Sequence, residues 1–164
     1  MNKNEILFSI TLTNPWPYCV TDLGKRVENR SWCPAARLIG QRIAIHAGKA
    51  IEPESWSSAA TLKPELRKMN MSSIPYGAIV GMFTLAGYVR VDRGVVTHRA
   101  GRASKTYDPA SDPWFFGPVG WLLSDVVKFP DPIDCRGSQR LWVVPSSLAK
   151  QCRAQDEQCR AVAA

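Results

Sequence analysis

The chain has 164 residues, 45% of them hydrophobic, which is enough for one domain with a proper core and too few to expect two. Lys and Arg outnumber Asp and Glu by 21 to 14, a net charge of +7 that favours an anionic partner, nucleic acid first and an acidic metabolite or phosphate second. The five cysteines, Cys19, Cys33, Cys135, Cys152 and Cys159, form neither a visible disulfide framework nor a zinc knuckle, and no apolar N-terminal run or long uncharged stretch marks a signal peptide or a membrane span, so a reducing cytoplasm is expected.

Residues 6–13 read as a strand, closed by the turn-rich Asn14-Pro-Trp16-Pro-Tyr18. A short helix is expected over 18–23, ending before Gly24. Strands follow at 26–32 and 41–47, with Pro34 and Gly40 between them. Pro53 and Pro64 then open helical turns, since proline costs nothing in a first turn. The clearest strand covers 77–91, where Gly81 suggests a bulge or a tight bend. The stretch 92–112 carries Arg93, Arg99, Arg102 and Lys105 against few carboxylates and is expected to be a mobile, exposed basic loop. An aromatic turn from Asp112 to Trp121 opens a strand over 121–129, a last strand covers 140–144, and apolar residues at helical spacing after Ser146 predict a C-terminal helix over 146–162. Short strands with few helices predict a single α+β domain over 1–164, a small barrel of five to six bent, mostly antiparallel strands with flanking helices.

The charged segment Lys25-Arg-Val-Glu28-Asn-Arg30-Ser-Trp32 departs from a plain solvated strand. If Val27 faces inward, alternation sends Arg26, Glu28 and Arg30 one way and Lys25 and Asn29 the other. Charges on both faces imply that at least one of them is enclosed, and an enclosed charge needs a partner. Lys25 beside Glu28 is a proton donor and acceptor pair if burial tunes it, and equally an ion pair across a barrel mouth. His46 either completes an acid-base set with Glu28 or is a satisfied core histidine. No metal site and no cofactor are expected, because nothing has clustered ligand spacing.

The aromatic residues raise a similar choice between packing and stacking on bases. Trp16 and Trp114 sit in proline-rich turns and are assigned with Trp32 to a groove. Trp56, Trp121 and Trp142 are assigned to packing.

The segments Ser9-Ile-Thr-Leu-Thr-Asn-Pro15-Trp16, Lys25-x-x-Glu28-x-Arg30, Ile43-Ala-Ile-His46-Ala-Gly-Lys49, Gly77-Ala-Ile-Val-Gly81 and Gly120-Trp121-Leu-Leu with the late Gly137 occur in this order. Together they resemble the ASCH family, a branch of the PUA-like fold. The signature glycine departs from the pattern, falling at Gly24 directly before Lys25. The resemblance implies a PUA-like barrel and an RNA- or nucleic-acid-binding module, and some branches hydrolyse N4-acylated cytidine or cleave RNA. The amidohydrolase branch uses K-x-x-T, and Glu28 stands where that threonine would be, which argues against direct transfer of its mechanism.

The expected function is binding of nucleic acid, RNA before DNA. A base or nucleotide would enter a pocket of Lys25, Glu28, Arg30 and His46, with Trp16, Trp32 and Trp114 stacking. Lys49, Arg93, Arg99, Arg102 and Lys105 would hold the backbone. The alternatives are a hydrolase acting on RNA or a modified nucleoside, with Lys25, Glu28 and His46 as catalytic residues, and an adaptor for an acidic protein.

Overall fold

The computed structural model describes residues 6–100 and 107–163. The chain groups into two compact units, Met1–Gly24 with Arg42–Phe83 and Val126–Ala164, and Lys25–Gln41 with Thr84–Asp125. Two long strands, β4 (Ala78–Asp92) and β6 (Val119–Asp134), contribute residues to both.

In the first unit β1 (Phe8–Asn14) lies between β3 (Arg42–Ile51), which runs parallel to it, and β7 (Leu141–Val143), which runs antiparallel. The strand order here is β6-β4-β3-β1-β7. Ile10 is paired with Ile45 and both are fully buried, as β-branched residues facing a core should be. Two helices follow strands: α1 (Trp16–Thr21) and α2 (Pro53–Leu62), each with proline in its first turn. Trp56 of α2 is buried and donates its indole N–H to the Leu66 carbonyl at 3.2 Å, which satisfies the one polar atom that a buried tryptophan carries.

The core of this unit joins Leu7, Ala44, Ile79, Met82, Phe129 and Ile133 to Ala149 and Cys152 of α3 (Ser146–Ala163). An ion pair between Arg42 and Asp156 fastens α3 to β3, and Gln155 donates to the Asp131 carbonyl at 2.7 Å. Gly81 lies within β4. It is the point where the backbone of Val127 comes so close that a Cβ would overlap the Val127 carbonyl oxygen.

In the second unit β2 (Val27–Arg30) pairs antiparallel with the start of β6, Glu28 opposite Trp121 and Asn29 opposite Gly120. The distal half of β4 turns through Arg93 and Gly94 into β5 (Val95–Ala100). Both turn residues have positive φ, 48° and 81°, the two-residue geometry whose twist matches that of paired strands. Residues 95–100 were expected to lie in the exposed loop 92–112, and they form a strand instead. The reason is local: the β-branched run Val95-Val96-Thr97 follows a turn that ends in glycine, and the arginines obscure this in the composition. This strand brings the sheet to seven, against the expected five to six.

The class is α+β. Among the described residues no helix is long and apolar enough to cross a membrane.

Candidate functional site

The second unit holds the charged segment. Lys25 precedes β2, so strand alternation does not govern it, and its side chain reaches along the chain to Glu28. Its ammonium donates to Glu28 Oε2 at 2.5 Å and to the Val27 carbonyl at 2.5 Å. The other carboxylate oxygen of Glu28, Oε1, faces Arg30 Nη2 at 3.3 Å. The Lys25 side chain is 1% exposed and that of Glu28 9%, and Val27 is also buried, so both faces of β2 are covered. The expectation that enclosed charges would find partners is met by a Lys25–Glu28–Arg30 chain of alternating sign. The expected placement of Lys25 on the face away from Glu28 is not.

The aromatic turn of this unit is held by Asn29, whose side chain imitates a strand partner. It donates to the Trp114 carbonyl at 2.8 Å and accepts from the Phe116 N–H at 3.0 Å. Asp112 accepts from the Trp114 N–H at 2.8 Å and from the Tyr107 hydroxyl at 2.8 Å. Trp114, assigned to a groove, is therefore packed and only 7% exposed. Trp32 is half-buried and lies edge-on to the fully buried Trp121, ring centres 4.8 Å apart. A second cleft, of about 550 Å³, is lined by Tyr88, Arg90, Arg93, Thr97 and Arg99 among others.

His46 belongs to the first unit, where a cavity of about 970 Å³ has Lys49, Tyr76, Asp134, Arg136 and Ser138 in its lining. His46 Nε2 lies 3.2 Å from the Cys135 carbonyl. A carbonyl only accepts, so Nε2 carries the proton in this contact. Nδ1 faces the Thr11 hydroxyl at 3.3 Å. Thr11 donates to the Ser138 carbonyl at 2.6 Å and receives the indole N–H of Trp142 at 3.0 Å. Trp142 also stands edge-on to the imidazole, 5.7 Å between centres. Burial pushes the His46 pKa below its ordinary value, and the Cys135 contact offsets part of this.

The cation of Lys49 reaches this cavity because its stem is laid over Gly77, where a Cβ would collide with it; Gly77 also has φ +63°. Chemically the arrangement offers two cations for an anionic group, Lys49 and Arg136, and a buried neutral imidazole between backbone and hydroxyl partners. Among the described residues no cluster of His, Cys, Asp and Glu is arranged to hold a metal ion.

The structure thus brings Lys25, Glu28 and Arg30 together in one unit and places His46 with Lys49 in the other. Trp16 is half-buried at the start of α1. Arg93 and Arg99 line the cleft of the second unit, while Arg102 and Lys105 lie outside the described residues. Sequence reasoning missed Thr11, Arg136 and Trp142. Arg136 is a cation beside the family-like Gly137, a signal that was available; Trp142 carries none, since a tryptophan in a strand reads as core.

No protein-family model matches the chain, and no curated protein matches it. Among solved structures it is similar to the crystal structure of ASCH from Zymomonas mobilis, at 17% identity with a TM-score of 0.51, over 90% of this chain and 94% of that one. Two variants of that protein, one with a serine replaced by alanine and one with a tyrosine replaced by phenylalanine, give TM-scores of 0.48 and 0.49 at 17% identity, over 90% of this chain and 94% and 96% of theirs. The fold is that of an ASCH domain, an α+β arrangement.

Proposed function

We propose that this ASCH-fold chain binds nucleic acid, RNA before DNA, and takes a nucleotide into the cavity of its first unit. The observation that carries the reading is the placement of Lys49 and Arg136 with His46 around one cavity of about 970 Å³, within the size range of small-ligand sites. The cations suit a phosphate, and the imidazole of His46 and Tyr76 suit a base. The net charge of +7 supports attraction of a polyanion from a distance.

Fluorescence anisotropy of end-labelled single-stranded RNA at low and moderate salt tests this. Lys49→Ala and Arg136→Ala are each expected to weaken binding and to lower the slope of log K against log salt by about 0.7. Unchanged affinity and slope in both variants would overturn the cavity assignment.

A second reading, hydrolysis of RNA or of a modified nucleoside, rests on the 2.5 Å contact of Lys25 with Glu28. Such a pair can pass a proton between two defined atoms, the requirement of general acid-base catalysis. A rise in anisotropy followed by decay, with the decay lost and binding retained in Glu28→Gln, is the outcome this reading expects. A signal that never decays excludes it for that substrate.

A further inference from the structure

The cleft of the second unit has a construction independent of the cavity around His46. Tyr88 is paired with Arg99 across the β4–β5 hairpin, and Arg90 with Thr97. Paired residues share a face, and so do residues two apart along a strand. Val89, on the opposite face of β4, is fully buried, so Tyr88, Arg90, Thr97 and Arg99 form the outward face of the hairpin. Arg90 and Arg99 are diagonal neighbours on it, roughly 7–8 Å apart at their Cα atoms, with the half-buried Tyr88 beside both.

The charges on this face are poorly satisfied by one another. Arg90 Nη2 reaches Asp92 Oδ2 at 3.3 Å, with side chains 55% and 63% exposed, and an exposed pair of this kind holds its members weakly. A phosphate can therefore displace Asp92 from Arg90 at little cost. Arg93 and Arg99 add to a cleft in which three guanidinium groups face one carboxylate.

We propose that this cleft is a stacking site for single-stranded nucleic acid, in which one unstacked base lies on Tyr88 and the flanking phosphates meet Arg90 and Arg99. The aromatic ring decides for a single strand, because a paired and stacked base offers no face to it, whereas every unpaired base does. The volume of about 550 Å³ suits a single nucleotide unit. The proposal rests on the nucleic-acid reading above for the class of ligand, but not on the cavity chosen there.

The test uses the full chain and four labelled probes: single-stranded oligouridylate and oligodeoxythymidylate of about ten nucleotides, a blunt RNA duplex, and uridine monophosphate. Tyr88→Ala is expected to weaken binding of the single strands by about tenfold and to leave the duplex unchanged. Tyr88→Phe keeps the ring and is expected to bind like the parent. Asp92→Asn frees Arg90 and is expected to tighten binding of single strands. Comparison of the two single strands separates RNA from DNA as the source of the ligand.

Normal single-strand binding in both Tyr88→Ala and Asp92→Asn would overturn the proposal. If those variants are silent while Lys49→Ala weakens binding, the hairpin cleft falls and the cavity stands; the reverse pattern leaves the hairpin cleft standing without the cavity. A parent protein that binds no probe overturns both. Where Tyr88→Ala fails to fold, the parent protein decides the matter. Cys33 lines the same cleft, so a bound single strand is expected to slow its alkylation several-fold, and an unchanged rate at saturation would reject the site.

Discussion

The imidazole of His46 occupies the space beside Gly137 in which a side chain would begin. A Cβ on Gly137 would overlap three ring atoms, so glycine at 137 is what allows the segment after β6 to close over the ring and present the Cys135 carbonyl to Nε2. Gly137→Ala is accordingly expected to push the ring from Thr11 and Cys135, to cost about 1–3 kcal/mol as an overpacked position does, and to weaken nucleotide binding in the cavity. Urea midpoints and anisotropy titrations check this. A variant with parental stability and affinity would show that the ring position does not depend on Gly137.

The same burial makes His46 a source of pH dependence. Its pKa in the folded chain is lowered, chiefly by desolvation, so the unfolded chain binds the proton more readily and stability rises with pH where the two states differ in protonation. The contribution is fully present above the ordinary histidine pKa of about 6.5 and is lost as pH falls through the folded value. His46→Gln is expected to flatten the part of the stability curve between about pH 7 and pH 5, measured as the difference in urea midpoint between variant and parent. A parallel pair of curves would remove His46 as the cause.

The sequence made some of this visible and hid the rest for physical reasons. The strand pattern around Ile10, Ile43 and Ile79 was legible because a buried strand is a run of apolar and β-branched residues. The enclosure of Lys25 and Glu28 was legible because charges at both parities of one short segment cannot all be solvated. The direction of the Lys25 side chain was not, since it lies outside β2 and its long stem can curl either way. Strand β5 was hidden by Arg99 and by the arginines that flank it. The grouping of Trp142 with Thr11 and His46 depends on pairs 131 and 35 residues apart in the chain, and no local pattern encodes contacts of that separation.

Asn29 supplies a test of how the aromatic turn is held. Its amide donates to the Trp114 carbonyl and its carbonyl accepts from the Phe116 N–H, so both halves of the amide are used. Asn29→Asp keeps the shape and the acceptor but sets a carboxylate oxygen against the Trp114 carbonyl, a loss of about 1–3 kcal/mol for the unmet partner. The tryptophan emission of the folded protein is expected to shift as the turn loosens, with a lower urea midpoint. Unaltered emission and midpoint would mean that Asp112 alone holds the turn.

The energetic meaning of Lys25 and Glu28 is best read from a double-mutant cycle. With 1% and 9% exposure, the pair is in the regime where desolvation rivals attraction, so its net worth against apolar residues is small while the loss of one partner is large. Glu28→Gln leaves an ammonium buried beside a neutral amide, and Lys25→Met leaves the carboxylate paired with Arg30. Each single change is expected to cost about 3–5 kcal/mol, Glu28→Gln the more, because it removes the carboxylate charge that lies 2.5 Å from the buried ammonium, whereas Lys25→Met leaves the carboxylate beside Arg30. The double variant Lys25→Met with Glu28→Gln removes both charges and is expected to recover most of that loss. Urea denaturation of the parent, both single variants and the double variant gives the coupling directly. Additive losses in the double variant would mean that the two charges do not depend on one another, and that Glu28 is held mainly by Arg30.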